Sequence, residues 1–177
     1  MKKLSLLVFI ITSSLVTDAM ADRGDQYLLP KLGFMSIALN NAKPLFSGGL
    51  LYGYGITSSI TLEGEVNVGI SGGGYELKDA AGSVYDSGNY KIWTVAGYGV
   101  YRLPVTDYAY LKAKLGVLYE NIKRTSDFAE SDLATGTGLA GGIGVGLIAA
   151  KKLTFEFEAT GIDSDIIFYS LGIHYPF

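Results

Sequence analysis

Two carboxylate pairs stand at alternate positions of the chain, Glu63 with Glu65 and Glu156 with Glu158, and a lysine pair, Lys112 with Lys114, repeats the spacing between them. Paired carboxylates are what general acid–base catalysis or a cation path would use. A spacing of two also places both members of a pair on one face of a β-strand. Lys31, Lys112 and Lys114 supply the opposite sign, and charges taken out of water must be paired. The matching lysines therefore favour an internal ion-pair network over catalysis. The only histidine is His174, three residues from Phe177. The glycine-rich run GTGLAGGIGVG at 136–146 is not a phosphate cradle, because no helix follows and its glycines alternate as on the packed face of a strand.

The elements that position these residues are strands. Ile167, Tyr169, Leu171, Ile173, Tyr175 and Phe177 form one wholly apolar or aromatic face of the last segment, against Phe168, Ser170, Gly172, His174 and Pro176. Strand five, 108–121, alternates most cleanly: Ala109, Leu111, Ala113, Leu115, Val117 and Tyr119 against Tyr110, Lys112, Lys114, Gly116, Leu118 and Glu120. Strands one to three span 27–37, 46–56 and 60–70. Lys31 faces away from Leu28, Leu32 and Phe34, and Leu51 is the one large inward residue of strand two. Thr61, Glu63, Glu65 and Asn67 face inward on strand three. Strand four, 89–103, is read with Tyr90, Ile92, Ala96, Tyr98 and Val100 outward and Lys91, Trp93 and Tyr101 inward. Strands six to eight are 135–148, 152–161 and 167–177. Pro30 cannot donate to a ladder and is expected near the start of strand one. Residues 71–88 and 122–134 lack a period and are read as long loops. Residues 40–44, 57–59, 104–107, 149–151 and 162–165 are read as short connections.

The chain has 177 residues, 49% hydrophobic and 12% aromatic, with 24 glycines, no cysteine and a formal charge of −3. That is the length of one domain, without a basic surface to attract nucleic acid. The lack of cysteine suits export through an oxidising periplasm. Lys2 and Lys3 precede the apolar run 4–11, and Ala19-Met20-Ala21 is a small-x-small cleavage site, so residues 1–21 read as a signal peptide. Residues 22–177 are then the mature domain, with a charge of about −4. No segment reaches the ~18 apolar residues of a membrane helix.

Exported, apolar and made of strands, the chain requires a closed barrel in lipid, where every backbone group finds a partner and outward apolar faces meet acyl chains. The expected fold is all-β, an eight-stranded antiparallel up-and-down transmembrane β-barrel with both termini in the periplasm. Phe177 closes it against strand one. Strands two and six carry mainly Gly and Ala inward, which leaves room for long side chains. Eight strands enclose a lumen that side chains just fill, so Lys31, Glu63, Glu65, Lys112, Lys114, Glu156 and Glu158 are expected to make a polar plug. Outward aromatics Phe46, Tyr90, Tyr119 and Tyr169 would ring one membrane interface, with Tyr54, Phe155, Tyr175 and Phe177 at the other.

The runs YGVYRLP and YAYLKAKLGVLYEN, then GGIGVGLIAAKKLTFEFEATG and the terminal LGIHYPF, resemble the outer-membrane β-barrel domain family. That family groups opacity-type surface proteins with small barrels like the membrane domain of outer-membrane protein A and outer-membrane protein X. The resemblance implies a C-terminal assembly signal on Tyr169, Leu171, Ile173, Tyr175 and Phe177, read by periplasmic chaperones and the barrel-assembly machinery. Family members commonly end in Tyr-Arg-Phe, whereas Tyr175-Pro176-Phe177 here implies a missing last ladder bond. Barrel enzymes that deacylate or palmitoylate lipid A are similar in size and use histidine. His174 lies at the opposite, periplasmic rim, which argues against that chemistry.

The expected function is a non-enzymatic outer-membrane surface protein of a Gram-negative-type cell. Residues 71–88 and 122–134 would serve adhesion, host-factor contact or envelope integrity, and outer-membrane lipid would surround the barrel. A narrow channel for ions or small solutes is the alternative, and a lipid A-modifying enzyme the third. No residue is assigned to catalysis, a cofactor or a metal.

Overall fold

The computed structural model describes residues 23–37, 42–71, 73–78, 82, 84–126, 130–150, 153–163 and 166–177. The leader expected at 1–21 and parts of the connections near 40, 80, 128, 151 and 164 lie outside these residues.

All regular structure is strand: β1 (Gln26–Ile37), β2 (Leu45–Gly55), β3 (Ile60–Gly69), β4 (Gly73–Lys78), β5 (Val84–Thr106), β6 (Ala109–Ser126), β7 (Glu130–Ala150), β8 (Leu153–Asp163) and β9 (Ile166–Pro176). Every neighbouring pair is antiparallel. β4 continues β3, because both run along β5, which pairs with β3 over Trp93–Tyr101 and with β4 over Val84–Tyr90. The two make one stave, and β1 pairing with β9 closes an eight-stranded up-and-down barrel without a free edge. Closure matters because hydrocarbon offers an unpaired N–H or C=O no substitute partner.

Side chains sort by strand parity. Leu28, Leu32, Phe34, Leu50, Tyr52, Leu62, Val66, Leu111, Leu115, Val117, Leu139, Ile143, Phe157, Ile167, Tyr169, Leu171 and Ile173 all face outward. An apolar exterior as open as Leu139, 78% exposed, suits acyl chains and not water. Tyr175 and Phe177 also point out, and the Phe177 amide donates to the Gln26 carbonyl at 3.0 Å. The ladder thus resumes beyond Pro176, which sits in register with Tyr27. Pro30 lies inside β1 opposite Leu50, deeper than expected. On the β9 side, register is kept at Leu28 and resumes at Lys31, so the pairing lapses around the residue that has no N–H.

Three expectations are corrected here. The inward face of β5 is Tyr90, Ile92, Thr94, Ala96, Tyr98, Val100 and Arg102, while Lys91, Trp93, Val95 and Tyr101 are exposed, so the expected parity is reversed along the whole strand. Tyr90 accordingly leaves the aromatic ring and Trp93 takes its place, packed on Tyr119 with centroids 5.4 Å apart. Residues 71–88 and 122–134 are largely ladder, since β4 pairs with β5, and β6 pairs with β7 out to Thr125↔Glu130. β5 has 23 residues, β6 18 and β7 21, well beyond the ~9–11 that a tilted crossing needs. These strands therefore rise past the membrane as two hairpins. Leu45 joins Leu51 as a second large inward side chain of β2.

Glycine placement serves the lumen. A Cβ on Gly53 would overlap the Tyr27 ring, and one on Gly146 would overlap the Tyr110 ring. Only glycine lets these tyrosines lie flat on the neighbouring strand and reach the charged centre.

Candidate functional site

Parity delivers all seven expected ionic residues to the lumen, and all are buried. Arg102 of β5 joins them, and four cations and four carboxylates make the linked ion pairs, while Glu120 is buried on the inner face of β6 as well. At the level nearest the chain termini, Arg102 reaches Glu63 at 3.0 Å and Glu156 at 3.3 Å, and Lys112 reaches the same two at 2.9 Å each. One level further in, Lys31 reaches Glu65 at 2.7 Å and Glu158 at 3.2 Å, while Lys114 reaches them at 2.9 and 2.5 Å. Lys112 ties the levels together through Glu158 at 3.0 Å. Each carboxylate thus sees at least two cations. That is what allows so many charges to sit out of water, since desolvation is repaid only where partners and hydrogen bonds are complete.

Neutral donors extend the network, in which Glu63 Oε2 and Arg102 Nε are left without a hydrogen-bond partner among the described residues. The Tyr27 hydroxyl donates to Glu63 at 2.5 Å, and Tyr110 donates to Glu156. Arg102 donates to Tyr27 Oη at 2.6 Å and Thr61 Oγ1 at 2.8 Å. Asn67 Nδ2 donates to Glu65 at 2.7 Å, and Thr160 donates to Glu158 at 2.8 Å. His174 stacks on Tyr27 with centroids 4.0 Å apart, its Nδ1 3.5 Å from Glu156. It belongs to the plug at the end of the barrel that holds the termini, as its sequence position implies.

Beyond the charges the lumen becomes mainly apolar, with Asn67, Thr94 and Glu120 the polar groups buried on its wall there. Lys31 lies over Phe168 at 5.3 Å and Lys114 over Tyr98 at 4.2 Å. Past these rings Met35, Leu45, Tyr90, Ile92, Leu118, Ile122, Ile162 and Ile166 pack together. The interior is closed twice, by paired charge at one end and by hydrocarbon at the other.

The hairpins are braced where they leave the barrel. Arg124 Nε donates to the Tyr75 hydroxyl at 2.5 Å, with the guanidinium 4.5 Å over the ring, which ties β6 to β4. Tyr90 Oη donates to the Lys43 carbonyl at 2.5 Å, and the Lys43 amide donates to Gly74 at 2.8 Å. Among the described residues, no group of three or more His, Cys, Asp or Glu is placed to hold a metal ion.

Arg102 is the residue that sequence reasoning missed, a consequence of the reversed β5 parity. Turning β5 over exchanges Lys91 for Arg102 on the inner face.

Comparisons with solved structures agree on the fold. OprG of Pseudomonas aeruginosa aligns with a TM-score of 0.59 at 14% identity, covering 90% of this chain and 98% of its own. Neisserial surface protein A aligns at 0.58 and 13%, covering 86% and 96%. Ail, the attachment invasion locus protein of Yersinia pestis, aligns at 0.56 and 16%, covering 89% and 100%. Comparison with curated proteins returns no match. The model of the outer membrane protein beta-barrel domain matches residues 5–174, and the chain belongs to that family, as a barrel of the outer membrane.

Proposed function

We propose that this protein is a non-enzymatic surface protein in which the barrel is a rigid mount and the segments 71–88 and 122–134 make the contacts. The observation that carries the reading is the doubly closed lumen. A channel needs a continuous wet path, and here four cations are locked to four carboxylates beneath a layer of packed hydrocarbon. Catalysis by the carboxylates finds no support either, because each of the four is buried and ion-paired with at least two cations. The material that exceeds a membrane crossing is concentrated in β4 to β7, where binding residues on a rigid scaffold are expected to lie.

Ail has been crystallised with the heparin analogue sucrose octasulfate, which makes sulfated glycans the first ligand class to offer this chain. Exchanging residues 71–88 for a short turn should abolish capture of the ligand while leaving the barrel folded. Undiminished capture by the shortened protein would overturn the reading. The outward row Tyr169, Leu171, Ile173, Tyr175 and Phe177 serves as the assembly signal during biogenesis.

A further inference from the structure

The wall of the barrel has no free edge, but the part of β7 above it does. β8 follows β7 only up to Gly141↔Gly161, whereas β6 follows it out to Thr125↔Glu130. Residues 130–140 of β7 therefore have a strand on one side and, among the described residues, none on the other. β7 also lacks proline, lysine and arginine, residues with which natural sheets blunt an edge. The β6–β7 register shifts between Ile122 and Lys123, so the regular stretch is 134–140, about 23 Å of open edge.

Two glycines in that stretch have no local explanation. Gly136 and Gly138 lie on the inner face, in register with Glu120 and Leu118 of β6. Neither has a positive φ, and a Cβ on either would meet nothing within 4 Å. Glycine inside a strand weakens it, and such a glycine often marks where another chain approaches closely. The barrel itself shows what fills such places. Gly53, Gly73 and Gly146 are each covered by a tyrosine ring in register on the neighbouring strand, Tyr27, Tyr90 and Tyr110 in turn. Gly136 and Gly138 are sockets of the same kind beside an open edge. The ends of the stretch are acidic, with Glu130 and Asp132 at the outer end and Asp163, the last residue of β8, at the inner end. On β6, Lys123 stands opposite Asp132 and Arg124 is tied to Tyr75.

We propose that residues 134–140 of β7 take up an extended segment of a partner protein as an added strand, with aromatic side chains at alternate positions seated on Gly136 and Gly138 and basic residues at its ends. Backbone hydrogen bonds supply the affinity of such an addition, and the alternate side-chain sockets supply its specificity. The proposal rests on the reading of the outer strands as the contact-making part and names the kind of partner that one of them fits.

The probe is a fluorescent peptide of alternating tyrosine and threonine with a lysine at each end, titrated by anisotropy against the full-length protein folded in non-ionic micelles. Saturable binding is expected, weakened by rising salt and by about tenfold in Gly136→Val/Gly138→Val. A Cβ at either position meets no neighbour, so this variant should keep the gel mobility of the folded barrel. The same peptide N-methylated along its backbone cannot donate to a ladder and should lose binding, as should one with alanine in place of tyrosine. No saturable binding by the unaltered protein would overturn the proposal. So would equal affinity for either altered peptide, or an unweakened valine variant. The peptide reads the edge of β7 alone, so its failure leaves ligand capture through residues 71–88 untouched, and the converse also holds.

Discussion

Lys112→Met tests the lumenal network where it is most connected. The Lys112 ammonium lies within 3.0 Å of oxygens on Glu63, Glu156 and Glu158, with its side chain 1% exposed. Removing one partner of a buried ion pair costs roughly 3–5 kcal/mol. The low end applies here, because Glu63 and Glu156 keep Arg102, and Glu158 keeps Lys31 and Lys114. The expected loss is therefore about 3 kcal/mol. With a urea slope near 2 kcal/mol per M, the unfolding midpoint should fall by roughly 1.5 M. The assay is reversible urea unfolding in lipid vesicles, followed by Trp93 emission and by the mobility of the folded band. Lys112→Met combined with Glu156→Gln restores neutrality and should cost clearly less than the two single changes together. An unshifted midpoint for Lys112→Met, or strict additivity in the double variant, would refute the network as a source of stability.

Other outcomes follow from the same geometry. Phe168→Ala removes a fully buried ring beneath Lys31 and should cost about 3–5 kcal/mol in the same unfolding assay. Gly146→Ala drives a methyl into the Tyr110 ring and should cost about 1–3 kcal/mol, whereas Gly97→Ala meets no atom within 4 Å and should leave the midpoint in place. Phe177→Ser should lower the amount of barrel assembled in cells, read by surface labelling, while changing the stability of refolded protein little, because its ring points outward.

Legibility from sequence followed the contrast between lumen and lipid. On β3, β6 and β8 the inward residues are charged and the outward ones apolar, so Glu63, Glu65, Lys112, Lys114, Glu156 and Glu158 declare their side by alternation alone. On β5 that contrast fails. Its inner face carries Tyr90 and Ile92 where the lumen is hydrocarbon and Tyr98 and Val100 in register with Glu63 and Lys114, and its outer face carries Trp93, Val95 and Tyr101 because lipid is hydrocarbon too. With both faces apolar, period two has no polarity and Arg102 falls on the wrong side. The hairpins were hidden for the opposite reason. Past the membrane an outward strand residue meets water and need not be apolar, so SGGGYELKDAAGSVYDSG keeps the ladder of β4 and β5 without the pattern of a membrane strand. The hydrogen bonds from Arg124 to Tyr75 and from Tyr90 to Lys43 join positions 49 and 47 residues apart, a separation that no local pattern encodes.

The central claim is a barrel closed to solutes that acts through its outer hairpins. Single-channel recording of the refolded domain, residues 22–177, in a planar bilayer addresses it most directly. Protein shown to be folded by its gel mobility should give no discrete openings, and Lys112→Met should stay equally silent because the apolar layer from Met35 to Phe168 remains. Reproducible conductance steps from the folded protein would contradict the account and make the charged ring the lining of a pore.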